Sequence, residues 1–375
     1  MDDAYVAKVD VSGSVLWAVR LGGSSEDSGR AVAADSSTGG GYAAGFFRSF
    51  AYFGAAGRMS SSGKGGFVAK LDASGAVEWA TSLAVSSRLR LAGDVAVDKQ
   101  HHGALVVGTF AASSTATYFG ANANSNNHLM CLPNVASECG FLVYTHPSDG
   151  HIVWLAAAMS GYVVRPRGVS SADDGHMYVG GDWIPSTSST RVDFGSGTFL
   201  DANDQSSKGW VVKYDSNGAA VWARTFVASA AYILAVSTTA DGGVLVAGSY
   251  IGDLAIPDPV GPTPSSLFGV QSSRSGFVVK LGVNGTAEWA KNLRGMQASA
   301  FHDEPPALVT LPCSRSSDLL RYKLHMHRQP TCTFSTTSRP ASWPVPRRTH
   351  THAHTFCSLP YFPCPPTRCQ PAPCV

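Results

Sequence analysis

The chain has 375 residues, 44% of them apolar and only 14% charged, with a formal net charge of +2. That length can bury a sizeable core. Residues 303–375 carry eight Lys/Arg against three Asp/Glu, a local +5 that leaves the preceding body at −3. A mildly acidic body with sparse charge has no electrostatic footprint for nucleic acid, and its dense glycine suits short strands joined by turns.

In chain order, Asp2-Asp3 leads straight into a strand pattern at Tyr5. No basic-then-apolar leader precedes it and no apolar stretch reaches membrane-spanning length, which leaves an intracellular protein or an earlier start. A cassette then occurs five times: AYVAKVDVSGSVLWA, GFVAKLDASGAVEWA, GFLVYTHPSDGHIVWL, GWVVKYDSNGAAVWA and GFVVKLGVNGTAEWA. Its tryptophans, Trp17, Trp79, Trp154, Trp222 and Trp289, are 62, 75, 68 and 67 residues apart. Self-similarity at such a period means a repeat architecture.

In the second copy Phe67, Ala69 and Leu71 alternate with Val68, Lys70 and Asp72, the period of a strand. Ala73-Ser74-Gly75 supplies the turn, and Val77, Trp79, Thr81 and Leu83 share one face of a second strand. A second hairpin follows, with strands at Asp94–Asp98 and Ala104–Phe110. It has its own mark, a glycine followed five residues on by another, at Gly40/Gly45, Gly103/Gly108, Gly175/Gly180 and Gly243/Gly248. A Phe-Gly pair closes each unit at Phe53, Phe119, Phe194 and Phe268, at distances of 8, 11, 14 and 20 residues from the preceding glycine. Length variation in one connection places the insertions on one rim.

Four strands per unit without helices predict an all-β fold, a β-propeller or propeller fragment of four-stranded antiparallel blades. The units span approximately 3–60, 61–135, 136–205 and 206–272, with a half-unit at 273–295 read as the first hairpin of a fifth blade. Blades stack on both faces, so each cassette Trp is expected to be a buried blade-packing residue. Its small partner is expected to be the neighbouring Ala18, Ala80, Ala223 or Ala290, with Leu155 in the third copy.

On these residues the chain resembles the SBBP-type β-propeller repeat, written Phe-Val-x-Lys-x-Asp-x-x-Gly-x-x-x-Trp-Ala, over residues 3–295. The third copy departs from it at Tyr144 and His146 and is one residue longer; the fifth has Gly282 in place of Asp. The resemblance implies surface or exported propellers and transfers no catalytic residue. Asp, Gly and Trp at this spacing also look like the tryptophan-docking motif of pyrroloquinoline-quinone propellers. That motif has one more residue between Asp and Gly, and no acidic pair suited to a quinone–Ca²⁺ site accompanies it here.

Lys8, Lys70, Lys213 and Lys280 precede Asp10, Asp72 and Asp215 by two residues where the Asp is present, so Lys–Asp pairing on one strand face is expected. Asp98, Asp174 and Asp241 sit at turns, where Asp caps its own backbone, and His101, His102 and His176 are turn residues. No Ca²⁺ loop, Walker loop, His-Glu-x-x-His or nucleophile elbow appears, and Gly39-Gly40-Gly41 lacks the Lys a phosphate loop needs. No catalytic residue, cofactor or metal site is therefore assigned. Cys131 and Cys139 form either a disulfide or two free thiols, and Asn284-Gly285-Thr286 is a glycosylation sequon.

Glycine ends at Gly295, while thirteen of 21 prolines and six of eight cysteines follow residue 302. Residues 296–375 therefore read as a Pro-rich tail without a fold or as translated sequence foreign to the native protein. A metal or disulfide module from His350, His352, His354, Cys357, Cys364, Cys369 and Cys374 fits no common zinc spacing.

The functional expectation is a non-enzymatic scaffold, surface or exported, that meets protein or glycan through the rim insertions Asn122–Glu138 and Ser186–Lys208. A quinoprotein-like enzyme and a purely structural surface repeat are the alternatives. A complete propeller of this kind is expected to be a monomer.

Overall fold

The computed structural model describes residues 2–83, 89–113, 116–120, 127–131, 137–159, 162–187, 190–270 and 273–293. The expectations for 122–126, 132–136 and 296–375 lie outside these residues. Every regular element among them is a strand, apart from one 3-10 turn at Gly54–Ala56.

β1 (Ala4–Val9) and β2 (Val15–Leu21) pair with each other alone. β3 (Ser28–Ala34), β4 (Gly41–Tyr52), β5 (Arg58–Leu71) and β6 (Val77–Leu83) form the first four-stranded antiparallel sheet, in that order. β7 (Leu89–Val97) and β8 (Ala104–Ala111) lead through a ribbon of β9 (Thr117–Tyr118) and β10 (His128–Leu129) to β11 (Glu138–Thr145) and β12 (Ile152–Met159). β13 (Val163–Ser171) and β14 (Met177–Ile184) lead likewise through β15 (Arg191–Asp193) and β16 (Phe199–Asp201) to β17 (Lys208–Tyr214) and β18 (Ala220–Phe226). The last sheet is β19 (Ala230–Thr238) and β20 (Val244–Ile251), then the ribbon β21 (Leu254–Ala255) and β22 (Ser266–Leu267), then β23 (Ser275–Leu281) and β24 (Ala287–Leu293). A single parallel bridge, Glu138 to Val163, links the second and third sheets.

The sheets are out of phase with the sequence repeat. The glycine hairpin of one unit pairs with the cassette hairpin of the next, as in Gly45 opposite Phe67 and Gly248 opposite Phe277. The described part of the half-unit 273–295, residues 273–293, expected to start a fifth blade, therefore completes the fourth sheet, and among the described residues the hairpin without a paired neighbour is β1–β2. The reason is local: β4 runs through a tight turn directly into β5, so these strands must pair, whereas β2 is followed by a crossing to the next sheet.

The first strands β3, β7, β13 and β19 lie side by side in that order. Each is bulged at the same place, between Gly29 and Ala31, Ala92 and Asp94, Pro166 and Gly168, and Ile233 and Ala235. Such bulges sharpen strand twist. The core is a set of layers between successive sheets: Tyr42 and Val68 meet Val106 and Phe141, Leu105 and Leu142 meet Val179 and Trp210, and Tyr178 and Val211 meet Val246 and Phe277. Sheets of four antiparallel strands, stacked face to face with their first strands adjacent, are the blades of a β-propeller.

The cassette aromatic that each blade buries most deeply is the second residue of the cassette rather than its Trp. Phe67, Phe141, Trp210 and Phe277 are at most 1% exposed. Three of them pack on the connection's phenylalanine, with ring centroids 4.9 Å (Phe53–Phe67), 5.1 Å (Phe119–Phe141) and 5.0 Å (Phe194–Trp210) apart. The glycine opposite is required by this packing. A Cβ at Gly45, Gly181 or Gly248 would stand within 2.9 Å of the ring and 2.1 Å from a neighbouring carbonyl oxygen. In the third unit that glycine is Gly181, one residue beyond the Gly180 of the sequence pattern.

Candidate functional site

The cassette tryptophans form a relay that joins each blade to the next. The indole N–H of Trp17, Trp79, Trp154 and Trp222 donates to the carbonyl of Ala73, Pro147, Ser216 and Val283, at 2.9, 3.0, 3.1 and 2.9 Å. Each acceptor lies in the turn of the following cassette. The ring meanwhile lies on that turn's glycine, where a Cβ would come within 2.3–3.1 Å of it at Gly75, Gly150, Gly218 and Gly285. These glycines also hold positive φ, between 71° and 89°, so the turn needs glycine twice over. The small partner of the Trp is thus a glycine in the next blade and not the adjacent alanine, which points to the opposite face of its strand. Only Trp79 is fully buried; Trp17, Trp154 and Trp222 are half-buried and Trp289 is exposed.

The lysines serve the same junctions. Lys8 Nζ donates to Gly39 O at 2.8 Å, Lys70 to Pro147 O at 2.9 Å and Lys213 to Val283 O at 3.5 Å. Lys70 pairs with Glu78, and Lys280 with Asp241 and Glu288. The expected pairing with the Asp two residues on does not form, because Asp10, Asp72 and Asp215 turn inward to cap their own hairpins. Asp72 Oδ1 accepts from Ser74 N, Ser74 Oγ and Ala76 N at 2.7–2.9 Å, and Asp10 and Asp215 act alike. In the last copy Asn284 takes over that role from the absent Asp: its Oδ1 accepts from Thr286 N and Oγ1 at 3.2 and 2.7 Å.

Strand order sets two different rims. All hairpin turns fall on one, and the ribbons between second and third strands fall on the other. The turn rim holds Asp98, Asp174 and Asp241, which cap Gln100, His176 and Gly243. His101 contacts Asp98 at 2.9 Å, His102 contacts Asp35 at 3.4 Å, and His176 contacts Asp174 at 2.9 Å. These His–Asp pairs are separate, and none gathers a third ligand among the described residues.

The ribbon rim carries the variable connections. Cys131 and Cys139 are joined by a disulfide, buried among Phe110, Phe119 and Phe141. The ribbon β15–β16 is stapled by Arg191, whose Nε and Nη2 reach the Asp201 carboxylate at 2.8 and 3.1 Å and whose guanidinium covers the Phe199 ring at 3.7 Å. Phe199 remains 44% exposed. A shallow cleft of about 440 Å³ opens near the β4–β5 connection, lined by Arg20, Ser24, Phe50 and Tyr52 among others.

In the longest connection the Phe-Gly pattern points to the wrong core residue. Ile256, not Phe268, is the buried equivalent of Phe53, Phe119 and Phe194; Phe268 is 68% exposed. The readable sign is Leu254-x-Ile256 eight residues after Gly248, matching Ala51-x-Phe53 eight after Gly45. The extra length therefore lies between β21 and β22. There Val260 N–H donates to Ala287 O, and Arg224 pairs with Asp258 at 2.9 Å.

Two acids break the repeat inside the stack. Asp182, fully buried, contacts Arg167 at 2.5 Å and Arg165 at 3.9 Å, with Glu138 on Arg165 at 3.2 Å. This cluster lies at the bridge between the second and third sheets; burial raises the Asp182 pKa against the pull of Arg167. Asp94 accepts from Val169 N of the neighbouring blade at 3.0 Å and from Val95 N at 2.9 Å.

No protein-family model matches the sequence, and no curated protein matches it. Solved structures with a similar fold include the Dos1 propeller, at TM-score 0.37 and 11% identity over 78% of this chain and 66% of that one. A protein of unknown function from Bacteroides caccae gives 0.28 and 10% over 78% of this chain and 94% of that one. BamB from Moraxella catarrhalis gives 0.25 and 14% over 78% and 83%. The stacked four-stranded sheets and the repeated cassettes themselves make the fold a β-propeller. Among its described residues no helix is long and apolar enough to cross a membrane.

Proposed function

We propose that the chain is a non-enzymatic propeller scaffold of the SBBP type, surface-located or exported, that binds a protein or glycan through its ribbon rim. The observation that carries this reading is the β15–β16 ribbon. Its bidentate Arg191–Asp201 pair and the Arg191–Phe199 stack hold a half-exposed aromatic in a fixed position. A rigid aromatic beside an arginine is the composition of an interface anchor, and preorganisation removes part of the ordering cost of binding. The repeat-conserved polar groups are taken up by blade junctions and turns, which leaves the irregular rim as the surface free to specialise. The buried Cys131–Cys139 disulfide and the exposed Asn284 sequon fit an exported protein.

The test is a pull-down and glycan-array screen of the full chain, followed by R191A and F199A variants against any ligand found. The reading expects at least a tenfold loss of affinity with unchanged melting. Ligands that bind both variants at full strength would remove this ribbon from the account.

A further inference from the structure

The third cassette turn breaks the repeat, and the residues that break it are metal-ligand types. Where copies one, two and four read Asp-x-x-Gly, the turn between β11 and β12 reads His146-Pro147-Ser148-Asp149-Gly150-His151. Backbone bonds close it, from His146 N–H to His151 O at 2.9 Å and from Gly150 N–H to His146 O at 3.0 Å. The two imidazoles leave from opposite ends of the hairpin and lie nearly parallel, 4.9 Å apart and inclined by 15°. Asp149 stands beside both: its Oδ1 is 2.7 Å from His151 Nδ1 and 3.8 Å from His146 Nδ1. The three ligand atoms lie within 4.8 Å of one another on exposed side chains, and no other such trio occurs among the described residues.

We propose that His146, Asp149 and His151 bind a divalent transition-metal ion of the zinc, nickel or copper group. Both Nδ1 atoms and the Asp149 carboxylate would be its protein ligands, and water would complete the shell. Two imidazoles and one carboxylate suit these ions, whereas Mg²⁺ and Ca²⁺ favour all-oxygen sets. Metal–ligand distances of about 2.0–2.2 Å require the imidazoles to close by roughly an ångström, within the reach of surface rotamers.

The turn is held for this from the neighbouring blade. Pro147 O accepts from Trp79 Nε1 at 3.0 Å and Lys70 Nζ at 2.9 Å, and Gly150 O accepts from Thr81 Oγ1 at 2.6 Å. The charge of Lys70, which sits on the Pro147 carbonyl, is partnered by Glu78 at 2.9 Å. A bound ion would therefore tie the ends of β11 and β12 together at the junction where the Trp79 ring rests on Gly150. Function in a repeat protein is expected where the repeat is broken. Here His146 Nδ1 takes over the cap, meeting Ser148 N and Oγ at 3.3 and 2.9 Å, and a bound ion would compete with those contacts for it.

The experiment titrates the full chain with zinc chloride by calorimetry and with nickel chloride by tryptophan fluorescence. The expected result is a site whose affinity falls at least tenfold in H151A and in H146N, with Ni²⁺ quenching of Trp79 emission lost in both. H146N keeps a side chain able to cap the turn as Asn284 does, so its folding is secured independently, and apo melting curves equal to wild type would show this. Undiminished binding and quenching in the H146N/H151A double variant would overturn the proposal and assign any metal to the histidines and cysteines of residues 350–374.

Discussion

Asp94 shows how much a single substitution in the repeat can carry. The equivalent bulge positions on the other first strands hold Ala31, Gly168 and Ala235, all too small to reach a neighbour. Asp94 instead spans to Val169 N of the next blade, and burial pushes its pKa up to about 6 despite that bond and the one from Val95 N. A carboxyl whose pKa is higher folded than unfolded binds more protons in the folded state between the two values. Stability then rises as pH falls from about 7 towards 4, by on the order of 2–3 kcal/mol for this group. Urea denaturation of the wild type and D94N at pH 7 and pH 5 should show the wild type gaining relative to the variant at the lower pH. Equal gains in both proteins would mean that Asp94 titrates as an ordinary carboxyl.

At the scale of elements, the unpartnered β1–β2 hairpin is the main departure from the regular stack. Tyr5 occupies the cassette position where Phe67, Phe141, Trp210 and Phe277 are buried, yet it is 66% exposed, and Val11, Val15 and Leu16 nearby are exposed too. A strand edge with apolar side chains and, among the described residues, no glycine hairpin hydrogen-bonded to it is the kind of edge that templates association. Replacing Tyr5 with lysine (Y5K) should shift sedimentation profiles of the full chain towards monomer; an unchanged distribution would show that this edge does not associate. The cassette, its turns and the four-stranded sheets could all be read from sequence, because period-2 alternation and Asp/Gly turn chemistry are local. Sheet phase could not, because the same pattern permits pairing with the hairpin before or after. Nor could the ligand trio, since His146 and His151 come together only once the turn closes, and Ile256 was masked by a nearby Phe-Gly pair.

For the molecule as a whole, the residues that obey the repeat and those that break it divide the labour. Tryptophan, turn glycine, lysine and cassette aromatic recur because each closes a blade or locks it to the next. Asp94, the His146–His151 turn and the rim ribbons do not recur; Asp94 ties two blades together, and the other two carry the proposed binding. The relay of indoles onto the following turn is the claim on which this division rests. It is tested most directly by solvent exchange of the five cassette indole N–H protons, resolved by NMR through single Trp-to-Phe variants. Slow exchange at Trp17, Trp79, Trp154 and Trp222, with fast exchange at Trp289, which has no following turn among the described residues, is the predicted result. Equal exchange at all five, or protection at Trp289 matching the others, would contradict the relay and the sheet phase derived from it.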